Sequence, residues 1–377
     1  MSGKKILILS VSAGNGHVRA AEALAAGLKE WFPGNEARHV DLMSLVPRLF
    51  RKAYTDSYLK LVQNHPALWG YIYEKTDRQA DSAWSSLRRS IESACNKGLK
   101  DIIDDFGPDH ILCTHFMPLQ VLARWKRKGG LAQPVWTCIT DIVAHRYWLE
   151  PGQAGYFTAD EEGVWNLRQR GLEEEPIWAT GIPVSPDFVP PADPAAARLE
   201  AAQAFGLDPA RCTFLLMGGG AGMGRLMKIT EELLTLETDF QLVVLTGRNK
   251  NLLDALNRLA ALRPGRLLAL GFTSQVHRLL AASDLVISKP GGLTTMECLA
   301  LGKPMLVVAP IPGQEEHNAD FLLEKGAALK AIDDPALIWR VKRVLNEPDL
   351  LPRLAARAKA LGRPYAARDI LGKVLGE

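Results

Sequence analysis

Short runs of apolar residues ended by glycine, serine, threonine or aspartate recur along this chain, and between them apolar positions return every three or four residues. Unbroken apolar runs bounded by turn residues mark strands buried on both faces; the longer period marks the helices that cover them. The pattern predicts strands at Lys5–Val11, Ala37–Asp41, His110–Thr114, Val135–Thr140, Gly155–Thr158 and Ile177–Thr180, then at Thr213–Met217, Gln241–Leu245, Arg266–Leu270, Leu285–Ser288 and Met305–Val308. Helices are predicted at Val18–Trp31, Met117–Lys128, Glu161–Arg170, Pro194–Phe205, Arg225–Leu236, Leu293–Leu301 and Phe321–Lys325, with more from Pro335 onward. Two successive strand–helix series, each opening on a strand and a glycine loop, predict an α/β protein of two doubly wound, Rossmann-like parallel-sheet domains facing each other across a cleft. Pro183, Pro186, Pro190, Pro191 and Pro194 can continue neither helix nor sheet interior and mark the linker. The expected division is residues 1–185, residues 186–350 and terminal helices over 351–377.

Composition narrows the class without naming it. The 377 residues are 47% apolar and 23% charged, enough for two ordinary soluble cores. A formal net charge of +3 is too small to argue for a nucleic-acid partner and is weakly compatible with an anionic membrane surface. The five cysteines are scattered with no CxxC, as expected of reduced thiols in a cytoplasm. The apolar run near the N-terminus is too short for a signal-peptide core, and no stretch approaches the roughly 20 apolar residues of a spanning helix.

Candidate chemistry concentrates in Ser283–Asn318, SDLVISKPGGLTTMECLALGKPMLVVAPIPGQEEHN. Here a strand turns through Lys289–Gly292 into a helix. A helix N-terminus presents unpaired N–H groups and the positive end of its dipole, so Gly291, Gly292, Thr294 and Thr295 form a candidate diphosphate cradle. Glu297, one turn in, is poorly placed for phosphate and well placed for ribose hydroxyls. Gln314, Glu315 and Asn318 carry donors and acceptors suited to sugar hydroxyls, with a solvated loop as the alternative.

Other strand ends add to this. The first predicted strand runs into Ser12–His17, where Gly14 and Gly16 give GxG but Arg19 replaces the third glycine of a dinucleotide fingerprint. His17 begins the next helix, whose N-terminus favours a neutral, proton-accepting imidazole; a structural histidine is the alternative. Asp141 follows the strand Val135–Thr140 and would orient a histidine, share the base's duty or merely cap a turn. His145 nearby would touch acceptor or phosphate, and His115 is a further candidate. Gly218–Gly224 (GGGAGMG) lacks the lysine and hydroxyl of a P-loop, since Arg225-Leu226 stand there; Gly219 and Gly220 remain as backbone donors. Arg248 is the candidate cation for a departing diphosphate, and Phe272 could lie against a uracil or simply fill a core. The region Leu45–Trp84 mixes basic and aromatic residues, with Leu49, Phe50, Ala53, Tyr54, Ser57, Leu61 and Val62 at helical spacing. It reads either as an interfacial segment or as packed helices with snorkelling lysines.

Taken in order, the glycine loops, the TD…H…W run from Thr140 to Trp148, the GRN at Gly247–Asn249, SKPGG and PGQEEHN resemble the monogalactosyldiacylglycerol synthase family and its bacterial diacylglycerol glucosyltransferase relatives. More distantly the chain resembles the lipid II GlcNAc-transferase of peptidoglycan synthesis. The resemblance spans most of the chain and implies a GT-B fold, family 28 glycosyltransferase activity and a last helix that crosses back to the first domain. It implies His17 as catalytic base with Asp141, a donor site in the second domain, and an acceptor side carrying Gly14, Gly16, His145 and Trp148. UDP-glucose or UDP-galactose would be donor and diacylglycerol, or its glycoside, acceptor. The reaction would invert the anomeric centre with no cofactor or metal, no DxD pair standing at a strand end, and the enzyme would lie peripherally on the cytoplasmic face of the cell membrane. His317 departs from the small residue usual in the family, and Gly291-Gly292-Leu293 differs in detail. A UDP-sugar epimerase or hydrolase, or a non-catalytic UDP-sugar sensor, are the alternatives.

Overall fold

The computed structural model describes residues 3–12, 14–48, 51, 61, 65–78, 95, 97–218 and 225–377. They divide into two compact units: Met1–Pro186 with Ile311–His317 and Tyr365–Glu377, and Asp187–Pro310 with Asn318–Pro364. The first break falls in the proline-rich segment.

Among the described residues, unit 1 holds a six-stranded sheet of β1 (Lys5–Ser10), β2 (Glu36–Asp41), β3 (His110–Cys113), β4 (Val135–Cys138), β5 (Gly155–Phe157) and β6 (Ile177–Trp178), in the order β2-β1-β3-β4-β5-β6. Every neighbouring pair is parallel. Alternation along β1 divides its apolar run between two cores. Leu7 and Leu9 join Ile111, Cys113 and Met117 on one face. Ile6 and Ile8 join Leu24, Leu28, Ile370 and Leu371 on the other. That second cluster explains why the last helix, Ala366–Leu375, belongs to unit 1: it packs along the helix Gly16–Trp31, where a Cβ on Gly27 would lie 3.3 Å from the Ala367 side chain. The chain passes from β1 to β2 and then returns to β3 on the opposite side, so the topological switch point lies between β1 and β3, where sheets of this kind form a crevice at the C-terminal ends of the strands.

Unit 2 repeats the plan. Among the described residues its six parallel strands are β7 (Thr213–Met217), β8 (Gln241–Leu245), β9 (Leu267–Leu270), β10 (Leu285–Ser288), β11 (Met305–Val308) and β12 (Ala328–Ala331), in the order β12-β11-β10-β7-β8-β9. The reversal lies between β7 and β10, whose C-terminal ends lead into Gly218–Gly224 and Lys289–Thr295. Both glycine loops singled out in this half of the sequence therefore leave from its switch point.

Three features depart from the sequence pattern. The short edge strand β12 was not predicted. The helix Leu350–Leu361 stays with unit 2, ending with Gly362 packed against the Leu299 carbonyl so closely that a Cβ would collide with it; of residues 351–377, only Tyr365–Glu377 join unit 1. Gln314–Glu324 is a helix from its first residue, where a loop reaching Asn318 was expected. The Glu315 and Glu316 carboxylates accept the N–H groups of Ile311 and Gly313 at 2.7 and 3.2 Å, and acidic groups at a helix N-terminus favour this start.

Most of the expected Leu49–Val62 helix, and Trp84, lie outside the described residues. The helix Pro66–Arg78 is described: it exposes Leu68 and Tyr71, with the Lys75 ammonium 6.0 Å from the Tyr71 ring centroid. Among the described residues no helix is long and apolar enough to cross a membrane.

Candidate active site

In unit 1 the switch point brings His17 against the end of β3. Gly14, with φ of +105°, lets the chain after β1 turn into the helix Gly16–Trp31. His17 Nδ1 lies 3.0 Å from the Thr114 carbonyl oxygen and 2.6 Å from the Thr140 hydroxyl. A carbonyl oxygen can only accept, so Nδ1 carries the hydrogen and Nε2 keeps its lone pair. The Thr114 hydroxyl donates back to the His17 carbonyl at 2.9 Å, closing a reciprocal clasp. Burial lowers the His17 pKa below the ordinary 6.5, with the Asp141 charge and the Thr114 carbonyl opposing the shift. The result is a neutral imidazole with a basic Nε2, the state a general base requires.

Asp141 does not orient His17 through a hydrogen bond, as the sequence suggested. One carboxylate oxygen accepts the Trp148 indole N–H at 2.7 Å, and the other accepts the Gln314 side-chain amide. Its influence on His17 is electrostatic, favouring the imidazolium that forms when a proton arrives. The expected acceptor contacts of His145 and Trp148 are also replaced by packing. Trp148 is fully buried. The His145 Nδ1 accepts the Tyr147 N–H at 3.2 Å within its own loop, and its Nε2 donates to the Tyr73 carbonyl at 3.2 Å, tying the helix Pro66–Arg78 to this loop. His115 is buried edge-on to His17 at 4.5 Å between ring centroids, with its Nδ1 accepting the Met117 N–H.

In unit 2 the helix Gly292–Ala300 follows β10 and opens on Gly291, in extended conformation and making no side-chain cap. The first N–H groups of a helix have no intrahelical partner, which suits this start to an anion. Thr294 is half-buried, whereas Thr295 is wholly buried, so Thr294 is the threonine that offers a hydroxyl at the surface. Glu297 is nearly buried one turn in. Asn318 turns out to be structural: it is buried and donates to the Pro290 carbonyl at 2.8 Å, bracing the Lys289–Gly292 turn. Gln314 and Glu315 cluster with unit 1, the former on Asp141 and the latter on the Ile311 N–H. The Arg248 guanidinium stands 5.4 Å from the ring centroid of Phe272, which is 70% exposed, making a cationic and aromatic platform at the ends of β8 and β9. Gly219 and Gly220 lie outside the described residues. Arg225 and Lys228, which follow them, are paired with Asp334. Among the described residues no cluster of His, Cys, Asp or Glu could hold a metal ion.

Sequence reasoning missed the threonines. Thr140 appeared only as the residue before Asp141, and Thr114 only as the end of a strand. A hydroxyl residue closing each of two neighbouring strands beside a candidate base was the signal available.

Three of these histidines should contribute to the acid limit of the fold. Burial is the largest influence on His17, His115 and His145, and it holds each below the ordinary 6.5. Below that value the unfolded chain binds more protons than the folded one, so stability is complete above about pH 6.5 and declines as the pH falls toward the folded-state values. We expect a melting temperature that is flat from about pH 8 to 7 and drops between about 6.5 and 5. A melting temperature constant down to about pH 5 would contradict this.

Residues 17–184 match the family described as monogalactosyldiacylglycerol (MGDG) synthase, and residues 213–366 match the glycosyltransferase family 28 C-terminal domain. The processive diacylglycerol beta-glucosyltransferase of Bacillus pumilus is 28% identical, the match covering 99% of this chain and 95% of that protein. The enzyme of the same name from Bacillus subtilis is 27% identical, with 100% and 96% covered. Among solved structures, MurG of Acinetobacter baumannii superposes with a TM-score of 0.60 at 16% identity over the whole of both chains. A UDP-GlcNAc 2-epimerase from Neisseria meningitidis bound to UDP-GlcNAc has a TM-score of 0.60, also at 16% identity, with 99% of this chain and 100% of that one covered. These structures share the GT-B fold. With the two family matches meeting the two sheets in order, the chain belongs to the family 28 glycosyltransferases of monogalactosyldiacylglycerol synthase type.

Proposed function

We propose that this enzyme transfers glucose from UDP-glucose to the free hydroxyl of diacylglycerol, and then to the glycoside so formed. Glycosyl transfer to diacylglycerol is carried by one observation: end-to-end similarity to enzymes named for that reaction. Their name also favours glucose over galactose. UDP would lie on unit 2, with Phe272 beside the uracil, Glu297 at the ribose, and Gly291–Thr294 with Arg248 at the diphosphate. The acceptor oxygen attacks the anomeric carbon as the bond to the β-phosphate oxygen breaks, and His17 Nε2 takes the hydroxyl proton. The products are an inverted β-glucoside and UDP. The helix dipole and Arg248 carry the leaving charge without a metal ion. Leu68, Tyr71 and Lys75 on the exposed side of the helix Pro66–Arg78 have the composition to meet an anionic bilayer at the cytoplasmic face.

The test offers UDP-glucose and UDP-galactose separately to vesicles of diacylglycerol in anionic phospholipid, with and without a chelator, and follows products by mass spectrometry. Hexosyl-diacylglycerol from UDP-glucose, undiminished by chelator, is expected. Product from UDP-galactose alone would reverse the donor assignment. Epimerised nucleotide, or free hexose with no lipid product, would overturn the transferase reading.

A further inference from the structure

We infer that Thr140, together with the Thr114 carbonyl, is the positioning partner of the catalytic base, in the place where such a histidine is ordinarily held by a carboxylate. This rests on the reading of His17 as base and deepens it. The Thr140 hydroxyl lies 2.6 Å from His17 Nδ1 and 3.3 Å from the Thr114 carbonyl oxygen, to which it donates. Its hydrogen being spent there, the hydroxyl meets Nδ1 as an acceptor. His17 Nδ1–H is therefore shared between two oxygens that cannot return a hydrogen to it. The imidazole is held in one tautomer and one orientation, edge-on to His115. The carboxylate whose charge reaches this ring is engaged elsewhere, since the two Asp141 oxygens accept from Trp148 and Gln314.

Neutral partners give this base a distinct character. A carboxylate on Nδ1 would strengthen the imidazolium through a charged hydrogen bond. Two neutral oxygens fix direction at less cost to neutrality, and the Asp141 charge acts on the ring without touching it. Thr114 directly follows β3 and Thr140 lies two residues past β4, so the tautomer is set where two neighbouring strands of the sheet end.

The wild-type chain gives the first readout. Long-range nitrogen–proton NMR correlations of the His17 ring in about neutral buffer should show a protonated Nδ1 and an unprotonated Nε2, and the opposite pattern would overturn the proposal without reference to activity. Thr140→Ala then removes the hydroxyl without a clash. We expect kcat to fall about tenfold, the worth of one such bond. KM for the UDP-sugar should be unchanged, and the acidic limb of kcat/KM should move to lower pH because the imidazolium has lost an acceptor. Thr140→Ser should recover most of the rate and the original limb. Wild-type kcat and pH profile in Thr140→Ala would overturn the role, as would equal losses in Ala and Ser. If His17→Asn instead retains full turnover, the base assignment fails, while the tautomer measurement still decides whether Thr140 holds the ring.

Discussion

Replacing His17 with alanine should lower kcat by about 10²-fold to 10⁴-fold, the usual contribution of a positioned general base, while leaving the affinity for UDP unchanged. The separation of the two effects follows from where the groups belong. His17 is in unit 1 at the end of β1, whereas Gly291–Thr294, Glu297, Arg248 and Phe272 are all in unit 2. The substitution is not expected to unfold unit 1, because His17 is only half-buried and enters the helix Gly16–Trp31 at its first turn, where alanine is well tolerated. Removing a neutral imidazole held against its own desolvation should also flatten the acid decline in stability. Calorimetric titration with UDP and steady-state rates on diacylglycerol vesicles check both halves. Unchanged turnover would remove His17 from the chemistry; loss of UDP affinity in parallel with rate would make it a folding residue.

Much of this arrangement was legible in the sequence because buried parallel strands are unbroken apolar runs and their loops begin with glycine. β1, β7, β10 and β11 could be read to within a residue on that basis. β12 could not, since Ala-Leu-Lys-Ala at a sheet edge is only partly buried and carries a lysine where a core strand would not. The helix at Gln314 was hidden because glutamine, glutamate and asparagine suit a solvated loop and a helix N-terminus equally. Long-range pairing was least accessible. Nothing local in sequence joins Gln314 to Asp141, 173 positions apart, or tells that His145 and Trp148 turn inward while His17 is held through Nδ1. His17 could be singled out because its position depends on a local turn. The roles of Asp141, Thr140 and Thr114 depend on which strands are neighbours.

The largest effect on stability is expected from Leu371→Ala in the last helix. Leu371 is fully buried in the cluster formed by Ile6 and Ile8 of β1 and Leu24 and Leu28 of the first helix, with Ala367, Ile370 and Val374 beside it. Truncating a leucine in such a site costs about 2–5 kcal/mol, because the apolar contacts are lost and the cavity closes only partly. That is a large share of the roughly 5–15 kcal/mol that stabilises an ordinary domain. The loss should fall on unit 1, although unit 2 is its neighbour in sequence, with Pro364 the last residue assigned there. Of the nine tryptophans, Trp339 is the one in unit 2, so tryptophan fluorescence reports chiefly on unit 1. In urea, Leu371→Ala should lower the fluorescence midpoint while UDP affinity in dilute denaturant is kept. Leu354→Ala, in the core of unit 2, should do the reverse. Since β1 carries His17 from beneath, the Leu371 variant should also lose turnover on warming before it loses UDP. A variant that lost UDP binding with its fluorescence transition intact would mean that the last helix stabilises unit 2, and the assignment of Tyr365–Glu377 to unit 1 would fall.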